Sequence, residues 1–201
     1  MQPNRLVKCT DFPCLDVSKE GYLVPDVEID PEKIHVIMIS EAPPKEKSDY
    51  FYAQNNPFYL QTTVQAFQDA GTKVSSMKDV LHLGVYVTTA IKCAKTAYAI
   101  SPKTIENCSR IVLENEMRLF PKARTVMLMG DTAIKAMNFV AKRNTGKAII
   151  PSGSTYKIRK GEYHFKQLKV IPSYLQTGKS YLIEKSKRKM IAEDIKRALE
   201  L

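Results

Sequence analysis

The chain has 201 residues, of which 44% are hydrophobic and 26% are charged, and its formal net charge is +10. This size and balance predict a soluble monomer with a single domain over residues 1–201, and the positive charge favours a polyanionic partner such as nucleic acid. No apolar stretch approaches the roughly 20 residues that cross a bilayer, and the N-terminus lacks a signal-peptide pattern, so we expect a cytoplasmic protein with no membrane partner.

Apolar segments at 34–39, 84–92, 125–130 and 168–173 are rich in Val, Ile or Met and are predicted to be strands. Helices are predicted at 60–71, 101–121, 131–143 and 179–201, and the basic stretch 142–167 is predicted to be a loop with a hairpin. Strands that alternate with helices indicate an α/β fold, a three-layer α/β/α sandwich with a central four-stranded parallel sheet. Ligands of such sheets bind beyond the carboxyl ends of the strands.

Glu41 follows the first predicted strand directly, in the stretch HVIMISEAPP at 35–44. Pro43 and Pro44 fix their own φ angles and restrict the residues before them, so the loop behind Glu41 is stiff. A stiff loop holds the carboxylate in place without a ligand, which predicts a catalytic or binding group. The alternative is an ordinary solvated carboxylate in a loop.

The strand ends read, in chain order, SEAPP, NNPFYLQ, VYVTTAIKCAK, VMLMGDTAIKAM and VIPSYLQTG. Their order and spacing resemble the uracil-DNA glycosylase superfamily, most closely its family 4 or iron-sulfur branch, over about residues 9 to 200. The resemblance implies an enzyme that hydrolyses the N-glycosidic bond of uracil or another damaged base in single- or double-stranded DNA. The alternative is a non-catalytic nucleic-acid or nucleotide-binding protein of the same fold.

Several motif positions depart from the family pattern. Ser40 and Pro44 stand in place of glycines, Thr89 replaces a strand-end asparagine, and residues 175–177 replace a His-Pro-Ser triplet. The family's histidine donates a hydrogen bond to the base as negative charge develops on it, and such stabilisation is often the largest catalytic contribution. Gln176 is the residue that could donate a neutral hydrogen bond instead.

The resemblance also implies the roles of individual residues. Glu41 would position or activate the attacking water, and Gln176 would steady the departing base. Phe58 would stack on the flipped base, although an aromatic residue here also suits the core. The implied base-binding residues are Ala42, Pro43, Asn56, Phe58 and Thr89.

Cations that follow the last strand are candidates for DNA phosphates. Neutralising phosphates makes binding strongly dependent on salt. The alternative is a solvated helix face. Basic residues of 142–160, including Arg143 and Arg159, would extend the same surface. The predicted DNA contacts are Tyr174, Thr177, Lys179, Lys185, Lys187 and Arg188.

The four cysteines match, in order, the ligands of the family 4 [4Fe-4S] cluster. Such a cluster needs four thiolates, but the first pair here is Cys-x4-Cys where the family usually has Cys-x2-Cys. Two alternatives remain open, a zinc site and no metal, in which case the thiols are small buried hydrophobes or tail residues. The cysteines are Cys9, Cys14, Cys93 and Cys108.

Overall fold

The computed structural model describes residues 1–177 and 179–201, without the side chains of Lys179 and Ser180. The strands are β1 (Val17–Ser18), β2 (Val36–Ser40), β3 (Val85–Thr89), β4 (Ala94–Lys95), β5 (Thr125–Met129), β6 (Tyr163–Phe165) and β7 (Leu168–Ser173). The helices are α1 (Pro3–Leu6), α2 (Phe58–Asp69), α3 (Met77–His82), α4 (Pro102–Cys108), α5 (Glu114–Met117), α6 (Asp131–Thr145), α7 (Thr155–Ile158), α8 (Lys179–Ile183) and α9 (Lys185–Leu199). Among the described residues, no helix is both long and apolar enough to cross a membrane.

The central sheet has five strands in the order β3-β2-β5-β7-β6. The first four of these are parallel, as predicted, and β6 adds an antiparallel edge to β7. The prediction of four strands is therefore corrected, because the hairpin expected within 142–167 joins the main sheet through β7. Parallel register aligns Ser40 with Thr89 and Met129 with Ser173, so the carboxyl ends of these strands lie at one edge of the sheet.

Helices cover both faces of the sheet and confirm the α/β layering. Successive side chains of a strand point to opposite faces. Ile37 and Ile39 of β2 accordingly pack in the core shared with α4 and α6. Val36 and Met38 pack in the core shared with α2 and α9. Both faces of this strand are buried, which is why it reads as a continuous apolar run.

The predicted helix over 101–121 is divided into two. Ser101 caps its start, since its Oγ accepts a hydrogen bond of 3.2 Å from the Thr104 N–H and Pro102 takes the first helical position. A π-helical turn at Ser109–Leu113 then separates α4 from α5. Such turns are rare and often lie near functional sites. Here the turn follows Cys108 directly.

An N-terminal arm lies against the segment that leaves β3. Strands β1 and β4 pair antiparallel, with Val17 opposite Lys95. Asp16 precedes β1 and accepts hydrogen bonds from the Ser101 N–H at 2.7 Å and from the Thr104 hydroxyl. The arm therefore connects the cysteine-bearing N-terminus to the carboxyl end of the main sheet.

Candidate functional site

A cavity of about 470 Å³ lies at the carboxyl ends of the central strands, and Glu41 forms part of its wall. Parallel strands direct their following loops to this edge, so the cavity collects residues that are far apart in the chain. The cavity is bordered by Glu41, Lys95, residues 98–100, Ile105, residues 130–132, Lys135, Leu175 and Thr177.

Both carboxylate oxygens of Glu41 are held in place. Its Oε2 lies 2.8 Å from the Nζ of Lys95, and its Oε1 accepts a hydrogen bond of 2.6 Å from the Thr132 hydroxyl. The side chains of Glu41 and Lys95 are 25% and 30% exposed. A carboxylate offers about four acceptor positions, so two remain for a ligand or an attacking water. Glu41 is thus preorganised and still reachable from the cavity.

Gly130 allows the first turn of α6 to approach this carboxylate. Its φ of +95° is in the region that favours glycine, and an added Cβ would meet Leu175 at 3.4 Å. The residue therefore permits both the sharp exit from β5 and close contact with the loop after β7. Thr132 lies in the first turn of α6, where the helix dipole favours a negative charge such as that of Glu41.

The cysteines come together at a second place. Together they line one small pocket beneath the N-terminal arm, and all are free thiols. Burial raises the pKa of Cys93 to about 11 and that of Cys108 to about 12. Within the parts of the chain that are described, no three His, Cys, Asp or Glu side chains form a group that could hold a metal ion. The pocket is bordered by Cys9, Cys14, Cys93 and Cys108, with Phe12 and Tyr22 among the apolar walls.

A buried ion pair lies beside the cysteine pocket, which Lys92 borders. Lys92 Nζ lies 2.5 Å from Glu116 Oε2, and each side chain is 1% exposed. Tyr86 and Thr88 donate hydrogen bonds of 2.6 and 2.8 Å to Glu116 Oε1. Lys92 also donates to the Thr89 carbonyl at 2.5 Å. Burial, together with the charge of Glu116, raises the pKa of Tyr86 well above its usual value. These bonds fix β3 against α5.

The fold places a carboxylate over a cavity at the strand ends, and a family comparison matches most of the chain. The profile described as Uracil DNA glycosylase superfamily matches residues 27–196. The chain belongs to the uracil DNA glycosylase superfamily. Among solved structures it is similar to a wild-type UNG from Nitratifractor salsuginis, at 13% identity and a TM-score of 0.43, over 90% of this chain and 81% of that chain. A search of curated proteins found no match.

The base-binding residues predicted by resemblance to the superfamily occupy different environments. Ala42 and Pro43 are buried behind Glu41, and the Ala42 carbonyl accepts a hydrogen bond of 3.4 Å from Tyr59. Phe58 is half-buried at the first position of α2 and does not line the cavity of Glu41. Asn56 is exposed just before α2. None of these four residues borders the cavity of Glu41.

Thr89 and Gln176 are fully buried. Among the described residues, neither the Thr89 hydroxyl nor either amide atom of Gln176 has a hydrogen-bond partner. Leaving a buried polar group unpaired costs roughly 1–3 kcal/mol, so each of these groups retains unused bonding capacity, although neither residue borders the Glu41 cavity. Thr177, the next residue, borders the Glu41 cavity.

The predicted DNA-binding cations differ in whether an acidic side chain already pairs with them. Lys185 is exposed, whereas Arg188 makes a two-pronged ion pair with Asp69 at 2.8 to 2.9 Å. Lys187 pairs with Glu184 at 2.7 Å and lies 5.6 Å from the ring centre of Tyr174. The Lys179 side chain lies outside the described residues.

Two cations of the 142–160 stretch are also held by acidic groups. Arg159 is 2% exposed and lies 2.8 Å from Asp194, so it stabilises the packing of α7 against α9 and does not face solvent. Arg143 pairs with Glu114 at 3.0 Å. The basic surface is therefore smaller than the charge pattern of the sequence indicates.

Sequence reasoning did not identify most residues that border the cavity, among them Lys95, Tyr98 and Thr132. Thr132 carried a usable signal, because it follows Gly130 at the end of a predicted strand. Lys95 and Tyr98 carried none, because their position depends on the pairing of β1 with β4. That pairing joins two segments that are too short to be recognised as strands from their residue types.

Proposed function

We propose that the protein is a DNA glycosylase that hydrolyses the N-glycosidic bond of uracil or another damaged base in DNA. The observation that supports this most directly is the position of Glu41, held by Lys95 and Thr132 on the wall of a cavity at the carboxyl ends of the sheet. Membership of the superfamily supports the same reaction class.

In this proposal the target nucleotide leaves the base stack, because its glycosidic bond cannot be reached inside a duplex. Glu41 accepts a hydrogen bond from the attacking water and stabilises the positive charge that develops on the sugar. Lys95 and Thr132 keep the carboxylate oriented, so no reorganisation is needed when the bond breaks. The anionic base departs with the electron pair of the bond, the water oxygen becomes bound to the sugar carbon, and the proton released from the water passes to Glu41.

Gln176 is proposed to donate an N–H group to the departing base. Support comes from its fully buried amide, which has no partner among the described residues. A single donor of this kind contributes about 10²–10³-fold in rate elsewhere. Gln176→Ala should therefore slow base release more than it weakens DNA binding.

The test is release of uracil and other damaged bases from single-stranded and duplex oligonucleotides. Glu41→Gln should abolish most of the release and leave DNA affinity unchanged or slightly raised, since it removes a negative charge near phosphates. Glu162→Gln is the control, because Glu162 is an exposed carboxylate that does not border the cavity. Release by Glu41→Gln at the wild-type rate, or no release of any base by high wild-type enzyme, would contradict the proposal.

A second candidate function is a binding module that recognises a modified base, a DNA end or a nucleotide without cleaving it. It is favoured by the replacement of the family's strand-end asparagine by Thr89 and of its His-Pro-Ser triplet by residues 175–177. Salt-dependent DNA binding without base release distinguishes this candidate from the glycosylase.

We also propose that the cysteine pocket holds a [4Fe-4S] cluster, as in the family 4 branch. Four free thiols border one pocket, and thiolates are the donors that such a cluster requires. Several metal ions lie between the ligands of a cluster, so its thiolates are farther apart than those around one ion. Cys9 and Cys14 would tie the N-terminal arm to Cys93 and Cys108, which is a structural role. Iron and sulfide analysis tests the proposal, and stoichiometric zinc instead would favour the other metal.

A further inference from the structure

Tyr98 is the most exposed large side chain on the rim of the Glu41 cavity. It is 99% exposed and belongs to the residues that border the cavity. A single exposed aromatic residue is ordinary on a protein surface. Its position at the mouth of the candidate site is what distinguishes it from Tyr156, which is 65% exposed and does not border the cavity.

The loop that carries Tyr98 is held firmly at both ends. The Thr96 hydroxyl donates to the Asp16 carbonyl at 2.9 Å, and the Ser101 N–H donates to the Asp16 carboxylate at 2.7 Å. Between these bonds, the Tyr98 carbonyl accepts from Lys95 Nζ at 3.4 Å, and the same ammonium pairs with Glu41. The backbone is therefore fixed relative to the carboxylate while the ring projects freely.

The surroundings of the ring suit a polyanionic strand. A second cavity of about 520 Å³ also borders Lys95 and adjoins the first one through this residue. Lys45 borders the second cavity and Lys103 lies at the start of α4, and both are exposed with no ion pair among the described residues. Lys95 and Lys135 are paired with Glu41 and Asp131, and Glu20 and Glu46 also border the second cavity, so a phosphate strand would meet Lys45 and Lys103.

A second exposed apolar side chain lies on the N-terminal arm near this loop. Leu15 is 98% exposed and directly precedes Asp16, whose carbonyl accepts the hydrogen bond from Thr96. Large apolar side chains exposed on adjoining segments are a candidate contact surface for a ligand. A nucleobase is flat and apolar on its faces, and it carries its charge on the attached phosphate, which matches an apolar rim beside cations.

We propose that Tyr98 is a stacking platform for an unpaired base next to the flipped nucleotide, and that this rim therefore binds single-stranded DNA or duplex opened around the target. The placement beside the flipped nucleotide depends on the proposed glycosylase function. The stacking itself does not. In an intact duplex each base already stacks on its neighbours, so an aromatic ring gains little from it.

The experiment measures binding of an undamaged single-stranded oligonucleotide and of its duplex, each with 2-aminopurine as a fluorescent base. Tyr98→Ala should weaken single-strand binding on the order of tenfold, the size expected for losing one stacked base. Duplex binding should change less than twofold, and the fluorescence quenching of 2-aminopurine by the wild type should disappear. Tyr98→Phe should keep both affinity and quenching, because it keeps the ring, and Tyr156→Ala should behave like the wild type.

Equal loss of single-strand and duplex affinity in Tyr98→Ala would overturn the inference, as would wild-type affinity in that variant. Since the oligonucleotide contains no damaged base, these readouts do not depend on catalysis. If the wild type releases no base but Tyr98→Ala loses single-strand binding selectively, the glycosylase proposal fails and the stacking site stands. If the wild type releases uracil and Tyr98→Ala binds normally, the stacking site fails alone. Tight binding of a protein from the source cells through Tyr98, with no effect on DNA, would also overturn it.

Discussion

Two lysines that lie three residues apart on the segment that leaves β3 each pair with a glutamate. The two ion pairs differ mainly in how deeply they are buried. Lys92 and Glu116 approach to 2.5 Å and are 1% exposed, while Lys95 and Glu41 approach to 2.8 Å and are 30% and 25% exposed. The buried pair is surrounded by further donors and acceptors. The half-exposed pair borders a cavity and keeps free acceptor positions. The same chemical groups thus serve packing in one place and are available for chemistry in the other.

The reason is the cost of moving charge out of water. A buried ion pair offsets that cost only when its geometry is good and further hydrogen bonds satisfy both charged groups. Those hydrogen bonds leave few donor or acceptor positions for a ligand. A partly solvated pair is worth little for stability but remains accessible. The predictions below test this contrast.

The largest expected effect is on the buried pair. Lys92→Met should lower the free energy of unfolding by about 3–5 kcal/mol, because Glu116 is left buried without a cation. Denaturant unfolding measures it. The double variant Lys92→Met with Glu116→Leu should recover most of the loss, since no charge stays buried. If Lys92→Met costs no more than Lys95→Met, the contrast between the pairs is wrong.

The half-exposed pair should show the opposite pattern. Glu41→Gln should reduce the rate of base release by about 10²-fold or more, which is typical for loss of a general base. Its free energy of unfolding should change by less than about 1 kcal/mol, because the pair is partly solvated. Single-turnover base release and denaturant unfolding of the same preparation check both parts. A large loss of stability with unchanged release would reverse the assignment.

The cysteine pocket contacts the segment that carries both pairs, so it sharpens the contrast. If the pocket holds the proposed cluster, Cys108→Ser should reduce the iron content and lower the Tm by roughly 4–8 °C, which corresponds to about 2 kcal/mol for a chain of this size. The arm pairs with β4, which carries Lys95, the partner of Glu41. Loosening the arm should therefore slow base release by more than the smaller fraction of folded protein accounts for. Iron content, thermal unfolding and base release at a temperature well below the Tm are the measurements. An unchanged Tm in the variant and absence of iron and sulfide from the wild type would contradict it.

The smallest effect concerns cations outside the two pairs. Lys185→Ala should lower the slope of log affinity against log salt by about 1, as expected for one lost phosphate contact. Arg188→Ala should leave that slope unchanged, because Asp69 already holds the guanidinium. Its loss should instead lower stability by up to about 1 kcal/mol. DNA titrations at several salt concentrations measure these slopes. Equal slopes in the two variants would show that an ion pair with an acidic residue does not determine which cations bind DNA.

Much of the fold could be predicted from local sequence. The four parallel strands, the cap of α4 at Ser101 and the covering of both sheet faces follow from apolar runs and residue types that act over a few positions. Two features could not be predicted from local sequence, namely the interruption of the helix after Cys108 and the edge strand β6. A π-helical turn and an edge pairing both depend on the segments that pack against them. Local propensity is weak compared with such contacts.

The sequence by itself determined the layered sheet, the placement of Glu41 after β2 and the resemblance that ordered the four cysteines. Only the tertiary structure decided which charged groups are buried. In the stretch KCAK, Lys92 and Lys95 look equivalent, yet one turns toward Glu116 in the core and the other toward Glu41 at the cavity. The difference arises because burial of a side chain depends on partners supplied by distant segments, here α5 for Lys92 and the loop after β2 for Lys95. Those partners are brought together only by folding.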